Sequence, residues 1–209
     1  MSLQARSNAT YTRARIDQIR TWLNRAVADS GLEIGVAGAV PISGRPGYQS
    51  SVQPSGGETH FRRLLLPLTA AGAGVLELRL RSGRWASDDS RALEAVVNET
   101  LARQMWPDGN VVGRSLTLSF DDLTYTIVGV VQDAHLTSLS EVEPVIHITD
   151  TNSLPVLLAR TAPDVQTRIT ALVGGIDPSI ELTFVPLAQS VKESLENALI
   201  AQPSLAAWR

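Results

Sequence analysis

The spacing of apolar side chains predicts helices near both ends of the chain. Over residues 11–29 apolar residues recur at intervals of three or four, with arginines between them, which predicts an amphipathic helix. A serine and a glycine follow, where a helix commonly ends. Similar patterns predict two further helices, over 164–173 and 187–201.

The centre of the chain also carries a helical pattern. Ser87, Asp88, Asp89 and Ser90 offer an N-cap and acidic charge at the positive end of a helix dipole. The apolar stripe that follows consists of Leu93, Val96, Val97, Leu101 and Met105. Pro107 then stops the pattern. We therefore predict one helix over 88–105.

Short apolar runs predict strands at 32–42, 60–69, 115–120, 124–131, 144–148, 156–160 and 181–185. Residues 43–58 are rich in glycine, proline and serine, and we predict a long loop there. Segment 70–75 stays open, because its alanines favour a short helix and its two glycines oppose one. The irregular mixture of helices and strands predicts an α+β fold.

The composition is that of an ordinary globular chain, either one large domain or two small ones. Its 209 residues are 44% hydrophobic and 19% charged, so a sizeable core can be buried. A net charge of −3 without a concentrated basic face argues against a nucleic-acid partner. The absence of cysteine removes disulfides, thiolate metal sites and cysteine nucleophiles.

The chain carries no predicted membrane span. Its most apolar stretch, 64–76, is interrupted by Pro67 and Thr69 and is shorter than the ~20 residues that a span needs. The opening residues 1–20 are polar and do not form a signal peptide. The last residues stop abruptly on a small-apolar segment. We expect both ends to be cut points within a longer protein.

The polar residues form no known catalytic signature. The sequence contains neither a phosphate-binding loop nor a Gly-x-Ser-x-Gly elbow. Asp133, His135 and His147 carry ligand types that suit zinc. Only the first two lie close in sequence, however, and a structural zinc site needs four ligands. We expect no catalytic centre, no cofactor and no metal.

A series of short motifs runs through the centre and the second half of the chain. In order they are Gly83-Arg84 ahead of Asp88, Val96-Val97, Asn98-Glu99, Ala102-Arg103, Trp106-Pro107, Gly113-Arg114, the strand from Val128 to Asp133, Glu143-Pro144-Val145, Leu158 to Thr161, and Ile176-Asp177-Pro178. This order resembles the MacB-like periplasmic core domain of FtsX-type ABC transporter permeases. The resemblance covers most of the chain and is strongest over 83–133.

The resemblance implies a discontinuous α+β domain with two subdomains. Residues 1–45 and 150–209 would form a porter-like α/β subdomain from both chain ends. Residues 46–149 would form an inserted, β-rich subdomain that carries one helix.

The resemblance also implies a function and a location. The chain would be a non-catalytic, periplasmic domain of an inner-membrane permease that relays ATPase-driven conformational change and contacts partners or substrate. Its implied partners are a cytoplasmic ATPase, a second permease copy and a periplasmic adaptor. The alternative is a soluble periplasmic module that binds a lipid or peptide in a cleft between the subdomains. An enzyme ranks last.

Seven residues are candidates for structural or interaction roles: Gly83, Arg84, Asn98, Glu99, Gly113, Gly129 and Asp133. Two interpretations of Asn98-Glu99 stay open. The pair could contact a subdomain or partner, or Asn98 could bond nearby backbone and close the fold, which is the favoured interpretation. We expect Gly129 to permit close backbone packing within a strand rather than phosphate contact.

Overall fold

Helices and strands alternate irregularly along the chain. The computed structural model describes residues 2–6, 13–39, 48–55, 61–119, 121–149 and 156–200. The strands are β1 (Ser2–Arg6), β2 (Ile34–Ala37), β3 (Tyr48–Pro54), β4 (Phe61–Leu65), β5 (Leu80–Gly83), β6 (Glu94–Asn98), β7 (Ser115–Leu118), β8 (Leu123–Val131), β9 (Val145–His147), β10 (Val156–Arg160) and β11 (Thr183–Pro186). The helices are α1 (Arg13–Ser30), α2 (Ala70–Val75), α3 (Glu99–Met105), α4 (Val165–Ile176) and α5 (Leu187–Ile200), with a 3₁₀ turn at Ser90–Ala92.

Both ends of the chain contribute to a four-stranded antiparallel sheet, which we call the end sheet. Its strand order is β11-β1-β10-β2. Leu23 of α1 and Ile169 of α4 share a buried cluster with Leu157 of β10, so the two helices cover one face. The next residue, Leu158, lies in a different buried cluster. Because both faces of β10 are covered, its sequence is a continuous apolar run without alternation.

The middle of the chain forms a second sheet, which we call the barrel. Six strands follow the order β8-β6-β9-β4-β3-β7, and β7 pairs back with β8 to close a ring. β5 pairs with the remaining part of the β8 edge. Val52, Leu65, Ile127 and Ile146 lie in one buried cluster within this unit. Trp106, at the end of α3, joins the same cluster, so the helix completes the barrel core.

A third buried cluster joins the end sheet to the barrel. Leu158 of the end sheet and Leu64 of the barrel belong to it, together with Ala73 and Val75 of α2. Successive side chains of a strand point to opposite faces. Leu64 therefore reaches this shared cluster, whereas its neighbour Leu65 belongs to the barrel core.

The chain between β4 and α2 is bonded to the edge of β2. The Thr69 N–H donates to the carbonyl of Val36 at 2.9 Å. The Thr69 hydroxyl oxygen accepts from the N–H groups of Val36, at 3.0 Å, and Gly72, at 3.1 Å, and so caps α2. A β-carbon on Gly35 would lie 1.9 Å from Gly72 Cα. The backbone of the helix therefore rests directly on the backbone of the strand.

The helix predicted over 88–105 is wrong in its first part. Residues 94–98 form β6, and α3 begins only at Glu99. Ala95, Val96 and Val97 are each 0% exposed, because one face of β6 meets the barrel core and the other meets the shared cluster. A short apolar run that is buried on both faces has no strand alternation, and its spacing also fits a helix.

The loop predicted over 43–58 is wrong for the seven residues of β3, which pair with β4 and β7. Residues 40–47 and 56–60 lie outside the described residues. β1 and β5 have no counterpart among the predicted strands. Segment 70–75, left open by the sequence, is α2, where Gly72 permits the close contact with β2.

The strand predicted at 156–160 has the bounds of β10, the other predicted helices and strands are present with shifted ends, and the α+β class is confirmed. The predicted subdomain limits, 1–45 with 150–209 and 46–149, stay a prediction. α2 lies by sequence within the predicted insert, yet it packs against β2 and β10 of the end sheet.

We expect Gly35→Ala to lower the free energy of unfolding by about 1–3 kcal/mol, the usual cost of overpacking. The clash is with backbone atoms, which cannot rotate away. Urea denaturation measures the change. Gly174→Ala in α4 is the control, because its added β-carbon meets nothing within 4 Å and should stabilise the helix by up to about 1 kcal/mol. Equal stability of the two variants would contradict the proposed contact.

Candidate interaction site around the central helix

Asn98 joins three segments at the start of α3. Its side-chain oxygen accepts from the N–H of Leu101 at 3.1 Å, which caps the helix, and from the N–H of Val145 at 3.0 Å. Its amide nitrogen donates to the carbonyl of Glu143 at 2.9 Å. The residue is only 3% exposed. In this structure Asn98 bonds to backbone of α3 and of the segment leading into β9.

Asp133, which follows β8, holds the first turn of α3. Its carboxylate accepts from the N–H and the hydroxyl of Thr100, both at 2.8 Å, and from the guanidinium of Arg103 at 2.9 Å. Burial acts to raise the pKa of Asp133, but the hydrogen bonds from Thr100 and Arg103 outweigh it and leave the pKa below its ordinary value. The carboxylate is therefore ionised at neutral pH.

Glu99 adds a second link between α3 and the barrel strands. Its carboxylate accepts from the N–H of Asp133 at 3.2 Å and forms an ion pair with Arg81 of β5, also at 3.2 Å. Arg81 is more than half exposed, so water weakens this pair. The pair nevertheless brings β5, the end of β8 and α3 to one place.

Gly83 and Gly129 allow β5 to pass very close to β8. A β-carbon on Gly83 would lie 2.1 Å from the carbonyl oxygen of Val128, and one on Gly129 would lie 2.2 Å from that of Arg84. Gly83 also has a φ of +72°, which favours glycine. The interpretation of Gly129 as a site of close backbone packing thus has a specific partner, the Gly83-Arg84 backbone.

The side chain of Arg84 forms a fork with Glu94 at the start of β6. Both terminal nitrogens of the guanidinium group donate to the Glu94 carboxylate, Nη1 at 2.7 Å. Glu94 also accepts from the N–H of Ser87 at 2.8 Å. The hydrogen bond from Arg84 is the main cause that lowers the pKa of Glu94. The fork fixes the chain that leads from β5 to β6.

Gly113 belongs to another part of the barrel, the turn that leads into β7. Its φ is +91°, and its N–H donates to the carbonyl of Ile127 at 2.8 Å. The structure therefore connects six of the seven candidate residues through α3, β5, β6 and the end of β8, and places Gly113 at a separate turn.

Sequence reasoning did not select the partners that complete these contacts, namely Arg81, Glu94, Thr100 and Arg103, although Arg103 belongs to the Ala102-Arg103 motif. One signal was present. Thr100 and Arg103 stand two and five residues after Asn98, within the first turns of α3, where side chains can meet a carboxylate. The distance in sequence from α3 to Asp133 concealed the contact.

The three residues considered as zinc ligands serve other contacts. Asp133 binds Thr100 and Arg103, and the Nδ1 atom of His135 lies 3.1 Å from the carbonyl oxygen of Ser138. His147 is buried and donates from Nδ1 to the carbonyl of Leu66 at 2.8 Å. Across the described residues, no group of three His, Cys, Asp or Glu side chains could hold a metal ion.

A second polar contact joins α1 to the residues after α4. Arg15 of α1 donates to the carboxylate of Asp177 at 2.6 Å. The same carboxylate accepts from the hydroxyl and the N–H of Ser179, at 2.6 and 3.0 Å. The Ser179 hydroxyl and then Arg15 lower the pKa of Asp177 to about 2. The carboxylate ties together the two helices that cover the end sheet.

The family of the chain follows from comparison with known proteins. The sequence model of the MacB-like periplasmic core domain matches residues 2–184. The chain belongs to this family. Among curated proteins, no sequence matches it significantly.

Three solved structures share the fold of this MacB-like domain at low sequence identity. The periplasmic region of MacB from Actinobacillus actinomycetemcomitans has a TM-score of 0.59 at 12% identity, over 94% of this chain and 92% of that chain. The extracellular domain of the noncanonic ABC-type transporter YknZ from Gram-positive bacteria gives 0.54 at 9%, over 88% and 98%. A domain of a putative permease from Porphyromonas gingivalis gives 0.52 at 16%, over 88% and 87%.

Membership of this family places the chain in the periplasm, as a MacB-like core domain. Within the described residues, no helix has the length and apolar character needed to cross a membrane. The contacts around α3 are ion pairs and hydrogen bonds between elements of the MacB-like domain, and they hold the helix against the barrel.

We expect Asn98→Ala to lower the free energy of unfolding by roughly 2–4 kcal/mol, because it removes a helix cap and leaves the buried N–H of Val145 without its acceptor. The midpoint of urea denaturation measures the loss. Asn110→Ala at an exposed turn is the matched control and should change stability by less than about 0.5 kcal/mol. A similar effect of both variants would contradict the role of Asn98.

We expect Asp177→Asn to lower the thermal midpoint at pH 7, with the difference from wild type disappearing as the pH falls from about 4 to about 2. The pKa of Asp177 is lower in the folded state than in the unfolded state. Its stabilising effect is therefore full above the unfolded value and is lost as the folded carboxylate takes up a proton.

Thermal melts from pH 7 to pH 2 provide the measurement. The control is Asp164→Asn, whose exposed carboxylate makes no capping hydrogen bond to α4. A difference between Asp177→Asn and wild type that stayed constant down to pH 2 would show that the ionised carboxylate does not carry the contact.

Proposed function

We propose that this domain relays an ATPase-driven conformational change across the periplasmic side of its permease and contacts partners there. The observation that supports this proposal is the architecture. The end sheet and the barrel each bury their own apolar cluster, and a further shared cluster joins them. A relay needs stiff bodies that move as units about a junction, which this arrangement supplies.

The stiffness of the barrel comes from its closure and from α3. The pairing of β7 with β8 closes the ring. The contacts of Asn98 and Asp133 then hold α3 against β8 and β9, so the helix cannot shift without breaking buried or charge-assisted hydrogen bonds. A body held in this way passes on a displacement instead of absorbing it.

We assign the predicted porter-like subdomain to the body that contains the end sheet, and the predicted inserted subdomain to the barrel. The end sheet uses strands from the predicted 1–45 and 150–209 segments, and the barrel uses strands from 46–149. In this proposal both chain ends belong to the body that the membrane part of the permease moves. A cytoplasmic ATPase would supply the movement, and a second permease copy and a periplasmic adaptor would receive it.

The alternative of a lipid- or peptide-binding module depends on a cleft between the two bodies. The structure has a small cleft there, lined in part by Asn24, Thr69, Asp88 and Thr149. Its enclosed space is close to that of a single water molecule, far below the roughly 300–1,000 Å³ of ligand pockets. Among the described residues this cleft gives the alternative no support.

The relay can be tested in the permease reconstituted in proteoliposomes with its ATPase. A spin label at Leu123→Cys reports the barrel, because Leu123 is 41% exposed at the hairpin between β7 and β8. The segment contains no native cysteine that would take up the label. We expect the distance between the labels of two copies to shift when ATP is trapped with vanadate, as measured by double electron–electron resonance.

A second label, at Arg25→Cys on the exposed side of α1, reports the body that contains the end sheet. The control is a permease whose ATPase cannot bind nucleotide, in which neither distance should change. Unchanged distances at both labels in an active, vanadate-trapped transporter would overturn the relay.

A further inference from the structure

α2 is joined in sequence to strands of the barrel but packs against the end sheet. Its neighbours along the chain, β4 and β5, are both strands of the barrel sheet. The helix itself packs against β2 and β10 of the end sheet. Any displacement of α2 is thus passed along the chain into two barrel strands.

The attachment of α2 to the end sheet is made by backbone atoms. Gly35 and Gly72 meet without side chains between them, since a β-carbon on Gly35 would lie 1.9 Å from Gly72 Cα and 2.1 Å from its nitrogen. Side chains can change rotamer when two elements slide, but two backbones in direct contact cannot. The helix therefore follows the strand closely.

Thr69 secures the first turn of α2 to β2. It is 7% exposed, and its hydroxyl oxygen accepts from the N–H groups of Val36 and Gly72. Its own hydroxyl hydrogen is directed to the carbonyl oxygen of Val36, at 3.2 Å. One hydroxyl group thus joins a strand of the end sheet to the helix that leads into the barrel.

Arg160, the last residue of β10, secures the other end of α2. Its guanidinium donates to the carbonyl of Gly74 at 3.3 Å and forms ion pairs with Glu77, at 3.2 Å, and Glu33, at 3.0 Å. Glu77 has a φ of +57°, in the left-handed region, directly after the helix. α2 is thus held to the end sheet at both of its ends.

The barrel side of α2 is held by main-chain bonds as well. Beyond β4, the N–H groups of Leu66 and Leu68 donate to the carbonyls of Ile146, at 2.9 Å, and Ile148, at 3.0 Å. This extended segment reaches Thr69 directly. It forms a continuous hydrogen-bonded path from the barrel to β2.

We propose that α2 is the element through which the end sheet moves the barrel, with Thr69 as the positioning residue that fixes the helix on β2. This inference rests on the proposed relay and names the part that carries it. Thr69→Val removes the acceptor for two N–H groups while keeping the shape of the side chain. The end sheet and the barrel then open independently.

Native-state hydrogen exchange on the isolated chain tests this coupling, because one protein reports both bodies. In the wild type, the most protected amides of β10 and of β8 should exchange with equal opening constants. In Thr69→Val, the two opening constants should differ by at least roughly tenfold, as expected when buried donors lose their acceptor. A residue with a merely structural role would lower the protection of both bodies equally and leave their ratio unchanged.

Two further variants sharpen the comparison. Thr69→Ser keeps the hydroxyl and should restore equal opening constants. Thr117→Val removes a hydroxyl on β7 that pairs across the hairpin with Thr124, and it should leave the ratio unchanged. Equal opening constants of the two bodies in Thr69→Val would overturn the proposal.

Arg160→Gln provides a test if Thr69→Val does not fold. The Arg160 side chain is 46% exposed, so we expect its replacement to leave the domain folded. The loss of two exposed ion pairs should accelerate exchange roughly threefold at the Gly72 amide. If α2 couples the bodies, exchange at the Leu66 amide should accelerate with it. Faster exchange at Gly72 alone would overturn the proposal.

These measurements need neither the ATPase nor the membrane part of the permease. Independent opening in Thr69→Val, combined with unchanged label distances in the trapped transporter, would leave the coupling standing and remove the relay. Equal opening constants in Thr69→Val, combined with shifted label distances in the trapped transporter, would keep the relay and assign it to a part other than α2.

Discussion

The contact between α2 and β2 is the constraint on which the rest of the molecule depends. Each of the two bodies completes a core of its own, and Ala73 and Val75 of α2 belong to the third cluster together with Leu158 of the end sheet and Leu64 of the barrel. Their position is set by backbone atoms, because Gly72 rests on β2 and the Thr69 hydroxyl satisfies two buried N–H groups. A six-residue helix thus contributes to the cluster that the end sheet and the barrel share.

The sequence predicts the elements whose apolar pattern has one period, together with β10, whose continuous apolar run is short and flanked by prolines. α1, α4 and α5 keep helical spacing, and β7 alternates because one of its faces is turned to water. The prediction fails at β6, where both faces are buried and the apolar run fits a strand or a helix equally well. It also fails at β3, whose polar residues are explained only by its neighbours β4 and β7.

At the candidate site, too, the sequence indicates single residues but not the distant partners that they contact. Asn98 could be selected from the sequence as part of the Asn98-Glu99 motif, but the helix predicted over 88–105 runs through it and conceals its role as the N-cap of α3. Its bonds to Glu143 and Val145 depend on β9, which lies more than forty residues away. Gly83 and Gly129 could be selected one by one, but their mutual contact is set by the pairing of β5 with β8. The order of the motifs indicates the family, whereas the contact partner of each residue is set by pairing between strands that are distant in sequence.

The Thr69–Val36 contact also bears on how this domain meets other chains. The outer side of β2 would otherwise present unpaired N–H and carbonyl groups, which are a template for strand addition and aggregation. Thr69 occupies those groups at Val36, and the N–H of Gly38 is taken by the carbonyl of Pro67. The edge strands of the end sheet are β11 and β2, and the outer edge of β2 is thus closed to a further strand. A foreign strand that extended this sheet would have to add beside β11.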